Sequence, residues 1–276
     1  MAQRLKDSLA GVLTAEEQQS LVGSFDVIGD IAIIIIPEIL ASREKLIAEA
    51  ILSANKNIKV VARRAGIYGG EYRTIPLTIL AGEKRKETEV REFGLRYRLN
   101  VETVYFSIRS GNERRRIAAL VKPGESVLVL FSGIAPYPLI LAQFSEAGKI
   151  VGIEKNPLAH AYALENLRIN KLQNDIILHQ GDVADILPTV DFFCDRLVMP
   201  LPTMAEAFLI SALRVLKPGG VLHFYDLQRF DCFHHSLAKI TAACDTRQRR
   251  IASFAIHKCG HCGPRTYRIC IDACIL

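Results

Sequence analysis

The second half of the sequence constrains the fold most. From residue 114 onward, helical and strand-like segments alternate: RRRIAALV, SVLVLFSG, ILAQFSEAG, KIVGIEKN, AHAYALENLRINKL and DIILHQGD. Short β-branched runs separated by helical stretches join into a parallel sheet only through crossovers, which defines a doubly wound α/β domain. Ligands of such domains sit beyond the carboxyl ends of the strands, where the strand order reverses. The first hundred or so residues have a different rhythm. SFDVIGDIAIIIIP (24–37) reads as two β-branched runs around an Ile28-Gly29-Asp30 turn, and a helix is expected over Ser42–Ser53. NIKVVARR (57–64) reads as a further strand, and LRYRLNV and TVYFSIRS (95–110) as a strand pair. Strands outnumber helices there, so a small α+β domain is expected over residues 1–104 and the α/β domain over 105–276.

Charge and hydropathy narrow the class. The longest apolar run, IAIIIIPEIL (31–40), is interrupted by Pro37 and Glu38 and falls short of the roughly 18 residues expected of a membrane span. MAQRLKDSLAG lacks the apolar core of an export signal, and seven cysteines, an odd number, suggest reduced thiols in the cytoplasm. The net charge is +6, and Lys84–Arg116 holds ten Lys or Arg against five Glu. That segment would attract a polyanion, or else it is a solvated face of ordinary ion pairs.

Three strand ends carry candidate chemistry. Val127–Phe131 runs into Ser132-Gly133-Ile134-Ala135-Pro136, a tight turn that lets backbone approach a ligand, although it is not a GxGxxG motif. The next strand ends at Glu154, an acid placed for ribose hydroxyls, and the third at Asp182, placed for an adenine amino group. Two acids in order after a glycine turn point to a nucleoside cofactor. A fourth strand, DRLVMPLP (195–202), ends in Pro-Leu-Pro and so offers only backbone polarity.

The ordered segments FSGIAP, GIEKNPLAHAYALENLRINKL, GDVADIL, DRLVMPLP, LKPGGVLHFYD and CGPRTYRICID resemble the class I methyltransferase half of the archaeal tRNA (guanine-37) N1-methyltransferases. SFDVIGDIAIIIIPE, VARRAGIYGGEYR, LAGE and VYFSIRSGNERRRI resemble that family's middle domain. The likeness runs from about residue 20 to the end. The family's further N-terminal domain is not expected, since residues 1–20 are too few to form it.

This resemblance implies a Rossmann-like class I methyltransferase domain behind a small α+β RNA-binding domain. It implies S-adenosyl-L-methionine as methyl donor, held by Phe131, Ser132, Gly133, Ile134, Glu154, Lys155, Asp182, Val183 and Pro202. It implies tRNA as partner, with guanosine 37 as acceptor, extruded into a pocket between the two domains of a monomer. Phosphate contacts from the basic segment would make affinity fall steeply with salt. The family motif SPRxxxER reads SIRSGNER here, so Arg109 and Glu113 inherit its roles, with Arg73 of GEYR as a second cation. Guanine N1 carries a proton, so a carboxylate must remove it as the methyl arrives, and a guanidinium would stabilise charge building on O6. Without the resemblance, Glu113 reads as an ion-pair partner of its neighbouring arginines.

Two positions depart from the family pattern. Pro200 stands where many members have Asn, and Val129 and Leu130 precede Phe131 where others have an Asp and an apolar residue. Both resemble the archaeal branch that also methylates C7 of the tricyclic 4-demethylwyosine (imG-14), which makes that reaction a candidate second activity. An apolar wall at Pro200 discriminates guanine from a bulkier tricycle less strictly than an amide would. The competing readings are an aminocarboxypropyl transferase of the wyosine pathway and a non-enzymatic RNA-binding protein. No metal is expected: Cys259 and Cys262 have knuckle spacing but lack a second CxxC. His234 and His235 suit a helix start or an RNA-facing surface.

Overall fold

The computed structural model describes residues 2–67, 69–172 and 175–276. The chain divides into two compact units, Met1–Phe106 and Ser107–Leu276.

The first unit begins with helices α1 (Ala2–Ser8) and α2 (Ala15–Ser20), the latter opened by a capping box between Thr14 and Glu17. Leu5, Leu9, Leu13 and Leu21 are buried in one cluster with Ala32, Ile34, Ile47 and Ile51. Leu5, Leu9 and Leu13, in a stretch for which the sequence suggested no element, are therefore part of this unit's core. Strands β1 (Asp26–Ile28) and β2 (Ile31–Ile34) form the expected hairpin. A 3-10 turn (Glu38–Arg43) then delays helix α3 to Glu44–Ala54, two residues later than expected. α3 is the crossover that makes β2 and β3 (Val60–Arg64) parallel, and β4 (Leu77–Gly82) closes the four-stranded sheet.

The anticipated strand pair over 95–110 is corrected. Strand β6 (Leu95–Asn100) pairs with the preceding β5 (Glu87–Glu92), and TVYFSIRS forms turns with a 3-10 segment at Ile108–Ser110. The two-residue turn Phe93-Gly94 has positive φ at both positions, the geometry that closes a tight hairpin. β5 was hidden because Val90 is its one large apolar residue. It is held across the ladder by charge, with the Glu89 carboxylate accepting from Arg96 at 2.6 and 2.9 Å.

Gly29 shows why the first turn needs glycine. Its φ is +60°, and a Cβ there would stand 2.1 Å from Thr88 Oγ1 and 2.6 Å from the Glu89 carbonyl. Thr88 and Arg85 both donate to Asp30, so that neighbour cannot step aside freely. Gly29→Ala is expected to cost about 2 kcal/mol or more, read as a shift in urea midpoint at unchanged slope.

The second unit runs α4 (Gly111–Ala119), β7 (Ser126–Leu130), α5 (Pro136–Phe144), β8 (Lys149–Glu154), α6 (Pro157–Asn170), β9 (Ile176–Gln180), α7 (Val183–Ile186), β10 (Cys194–Met199), α8 (Leu209–Val215), β11 (Leu216–Arg229), α9 (Phe233–Thr246), β12 (Ile251–Gly263) and β13 (Thr266–Ile275). The strands form one sheet in the order β12-β13-β11-β10-β7-β8-β9. β9, β8, β7, β10 and β11 are parallel, while β13 runs antiparallel between β11 and β12. The order reverses between β7 and β10, which places a ligand crevice at their carboxyl ends. The central strands are near-continuous apolar runs because both faces are covered: Val127–Leu130 and Leu197–Met199 are fully buried. Lys217-Pro218-Gly219-Gly220 forms a bulge within β11, which shifts its register on β10 between Cys194 and Arg196. Among the described residues, no helix is long and apolar enough to cross a membrane.

Candidate active site

The loop after β7 is built from unusual backbone. Phe131, Gly133 and Ala135 all have φ between +54° and +67°, so three of five consecutive residues are left-handed. For Phe131 and Ala135 that conformation is strained, and such strain persists where the surroundings fix it. Here the Ser132 amide donates to the Ile153 carbonyl at 2.9 Å, and the Gly133 amide to Glu154 Oε2 at 2.7 Å. Buried Asn166 on α6 holds the Ile134 carbonyl from behind. Pro136 then opens α5 with its φ already helical. The result is a rigid, water-poor backbone cradle at the switch point.

Glu154 is the floor of that cradle. Its other oxygen accepts from the Asn156 amide at 2.7 Å. Burial pushes the carboxyl above its ordinary value, and the backbone amides only partly offset this. Each carboxylate oxygen keeps a lone pair for a hydroxyl donor. Asp182 caps α7 by accepting from Ala184, and its other oxygen takes Lys155 Nζ at 2.6 Å, so Lys155 and Asp182 act as one unit. Val183 is buried beneath them. The donor and acceptor set of Glu154, the left-handed loop and Asp182 fits a nucleoside. A measurable consequence concerns pH. Binding through ionised Glu154 is expected to weaken on acidification while the pH is still above 4.5, the ordinary glutamate value. Calorimetric titration with S-adenosyl-L-methionine would show it, and Glu154→Gln would bind weakly with a flattened profile.

The Pro-Leu-Pro end of β10 lies beside this loop. Val198 pairs with Val129 and Met199 with Phe224, so Phe131 and Pro200 leave the sheet at one level, on strands about 4.8 Å apart. The Leu201 amide donates to the Met199 carbonyl in a tight turn around Pro200. With that amide spent and none on Pro200, this strand end presents carbonyl acceptors and an apolar wall. Pro202 follows, partly exposed.

Glu113 is brought to the same level from a different part of the chain. Tyr225, the residue after Phe224 on β11, stands next to Pro200, and its hydroxyl donates to Glu113 Oε1 at 2.6 Å. Arg116, one turn along α4, grips both Glu113 oxygens at 2.8 and 2.9 Å. Burial would raise this carboxyl, but Arg116 and Tyr225 outweigh it and hold Glu113 below the usual range. The neighbouring Cys259 thiol is pushed up to about 12 by burial and by the Glu113 charge, so it stays neutral.

Behind Glu113 runs a buried charge relay that the sequence did not reveal. Arg116 also binds Asp272 on β13, Asp272 accepts from His223 Nδ1 at 2.6 Å, and His223 Nε2 faces Arg196 at 2.7 Å. Arg196, 3% exposed, continues to Glu125 and to the Leu120 carbonyl. Arginine only donates, so His223 Nε2 must accept and Nδ1 carries the proton, which defines a neutral tautomer. Burial depresses the His223 pKa, in keeping with that form. His223, Cys270 and Asp272 are grouped closely enough to hold a metal ion, but two guanidinium groups already occupy this acid and this imidazole. Cys259 instead donates to the His257 carbonyl, and Cys262 is exposed.

Two candidates remain, Arg109 and Arg73. Arg109 is exposed on the 3-10 turn before α4. Arg73 belongs to the first unit, where its guanidinium lies over the Tyr105 ring at 5.1 Å. The basic segment proves largely paired: Arg85, Lys86, Arg91, Arg96, Arg98 and Arg116 sit in ion pairs and Arg114 is buried, while Lys84, Arg91, Arg98, Arg109 and Arg115 are exposed to solvent.

Comparison with known proteins decides the family. Residues 88–252 match the TRM5/TYW2 methyltransferase domain, and residues 5–85 match the TYW2 N-terminal domain. The chain belongs to the TRM5/TYW2 methyltransferase family. Members of this family are S-adenosyl-L-methionine-dependent. A relative from Pyrococcus abyssi named tRNA (guanine(37)-N(1))-methyltransferase Trm5b is 36% identical over 93% of this chain and 76% of its own length. A tRNA 4-demethylwyosine(37)-methyltransferase, Taw21, from Saccharolobus solfataricus is 32% identical over 76% of this chain and 80% of its own. Among solved structures, the complex of aTrm5 and tRNALeu superposes with a TM-score of 0.84 at 28% identity, covering 99% of this chain and 78% of that one.

Proposed function

We propose that the chain methylates N1 of guanosine 37 in tRNA, acting as a monomer. The observation that carries this reading is the placement of a buried, ionised carboxylate, Glu113, beside the Pro200 strand end and one strand from the cofactor-type loop. S-adenosyl-L-methionine, held by Phe131 to Ile134, Glu154, Lys155, Asp182, Val183 and Pro202, supplies an electrophilic methyl group. Carbonyls at the Pro200 turn accept from the polar edge of the base. Glu113 takes the N1 proton, for which it must share its oxygens with, or release them from, Arg116. Arg109 and Arg73 are assigned to the charge developing on O6. The first unit and the exposed cations of the basic segment take the tRNA backbone.

C7 methylation of imG-14 is the second reading. It is favoured by Pro200, which closes the strand end without an amide side chain, and by the likeness to Taw21. Nucleoside mass spectrometry after incubating the protein with labelled S-adenosyl-L-methionine and tRNA(Phe), unmodified or containing imG-14, tests both. Label in 1-methylguanosine supports the main reading, and label also in the tricycle supports the second. Label in neither overturns both. A Pro200→Asn variant with an unchanged ratio of the two products would remove the role given to proline.

A further inference from the structure

β11 does not stop at the level of the active site. Arg229 lies five residues beyond Phe224, the partner of Met199, so the strand overhangs the carboxyl edge of β10 by roughly 16 Å. β12 and β13 extend with it, pairing Gln228 with Tyr267 and His261 with Tyr267. On this overhang four rings gather. Tyr267 lies 4.2 Å from His261 and 6.2 Å from Phe233, ring centre to ring centre, and the Phe230 amide ties the start of α9 to the hairpin through the Arg265 carbonyl. Cations lie over the rings: Lys258 over Tyr267 at 4.8 Å and Phe233 at 5.7 Å, and Arg265 over Phe230 at 5.3 Å.

Core packing accounts for part of this composition, since Phe233 and Tyr267 also rest against the apolar core, but it does not account for the exposed members. Phe230 is 48% exposed, and His261, Lys258 and Arg265 are exposed too. Arg229 and Arg268 add positive charge, and Arg268 Nε is buried without a hydrogen-bond partner. Asp231 pairs with Arg229 at 3.3 Å. Half-exposed aromatic faces interleaved with cations are what successive unstacked bases and their phosphates need: rings to stack on, and charge beside them.

We propose that this overhang is a stacking platform for single-stranded nucleotides flanking the acceptor base. The proposal rests on the RNA-methylating reading above and adds to it the surface that holds the neighbouring bases once one is extruded. Its position fits, since it projects from the sheet edge that carries Pro200 and Tyr225, and the Tyr225 hydroxyl holds Glu113 of α4.

The test uses the full chain and fluorescence anisotropy with a labelled single-stranded RNA of anticodon-loop sequence, alongside a fully paired RNA duplex. Phe230→Ala is expected to weaken single-strand binding about tenfold and duplex binding far less, because stacking needs free base faces. Phe230→Trp is expected to retain the affinity. An unchanged thermal midpoint would show that the exposed substitution leaves the fold intact. Single-strand affinity for Phe230→Ala within about twofold of the parent would overturn the platform, as would equal losses for both RNAs or equal competition by polyglutamate. Methylation of tRNA is measured separately. If the parent binds the single strand through Phe230 but transfers no methyl, the platform stands and the methyltransferase assignment fails.

Discussion

Glu113→Gln is expected to lower methyl transfer to tRNA by about 10²- to 10⁴-fold, with S-adenosyl-L-methionine affinity unchanged. Glutamine keeps the shape and can still accept from Tyr225, but it cannot take a proton from guanine N1. The pH profile carries more information than the rate. Burial raises the Glu113 carboxyl, and the hydrogen bonds from Arg116 and Tyr225 lower it further than burial lifts it. The active, ionised form therefore persists below the ordinary value of 4.5, and the acid limb of kcat/KM should lie below that pH. Tyr225→Phe removes one of the hydrogen bonds that stabilise the anion and leaves the two from Arg116, so it should move the limb upward. A Glu113→Gln enzyme with turnover within a few-fold of the parent would leave Glu113 as no more than the ion-pair partner of Arg116.

Arg116→Met is expected to cost about 3 kcal/mol of stability, because it strands two carboxylates against each other in a largely dry site. The figure is at the lower end for buried pairs, since the Arg116 side chain keeps 24% exposure. The pH dependence fixes the cause. Burial raises the Asp272 carboxyl, while His223 and Arg116 pull it well below the usual range, and Glu113 is also depressed. A depressed carboxyl stabilises the fold above its unfolded pKa and loses that contribution as pH falls through the folded value. His223 adds an earlier stage. Its folded pKa lies below 6.5, so stability declines once the unfolded imidazole begins to protonate near that pH. The parent should thus weaken in two stages on acidification. In Arg116→Met the carboxylate stage should move to higher pH, which urea unfolding across a pH series would register. An identical pH dependence in both proteins would deny Arg116 its part in the relay.

The alternation of segments made the α/β sheet legible, because each central strand is buried on both faces and so reads as an unbroken apolar run. Glu154 stood out in the sequence for the same reason, as the first polar residue after such a run, whereas Asp182 follows His179 and Gln180 at the end of the partly exposed β9. β5 was not, because ETEVRE is held by cross-strand charge and has little apolar signal. Nor were α1 and α2: Leu5 of α1 and the flanking Leu9, Leu13 and Leu21 meet a core contributed by distant elements. The relay was the least legible. Its members are separated by up to 156 positions and come together only through sheet order. Tyr225 could have been suspected, since it lies one residue past the apolar run VLHF in the strand next to Pro200, but only once the strand pairing was known.

The place of β13 bears on how the protein comes into being. It is made after both of its neighbours, β11 and β12, yet lies between them, with ten residue pairs to β11 alone. During synthesis β12 therefore has no flank to join until Thr266–Ile275 emerges, and the two strands reach the free edge of β11 as a hairpin. Asp272 arrives with that hairpin, so the carboxylate, guanidinium and imidazole behind Glu113 come together only once β13 pairs with β11.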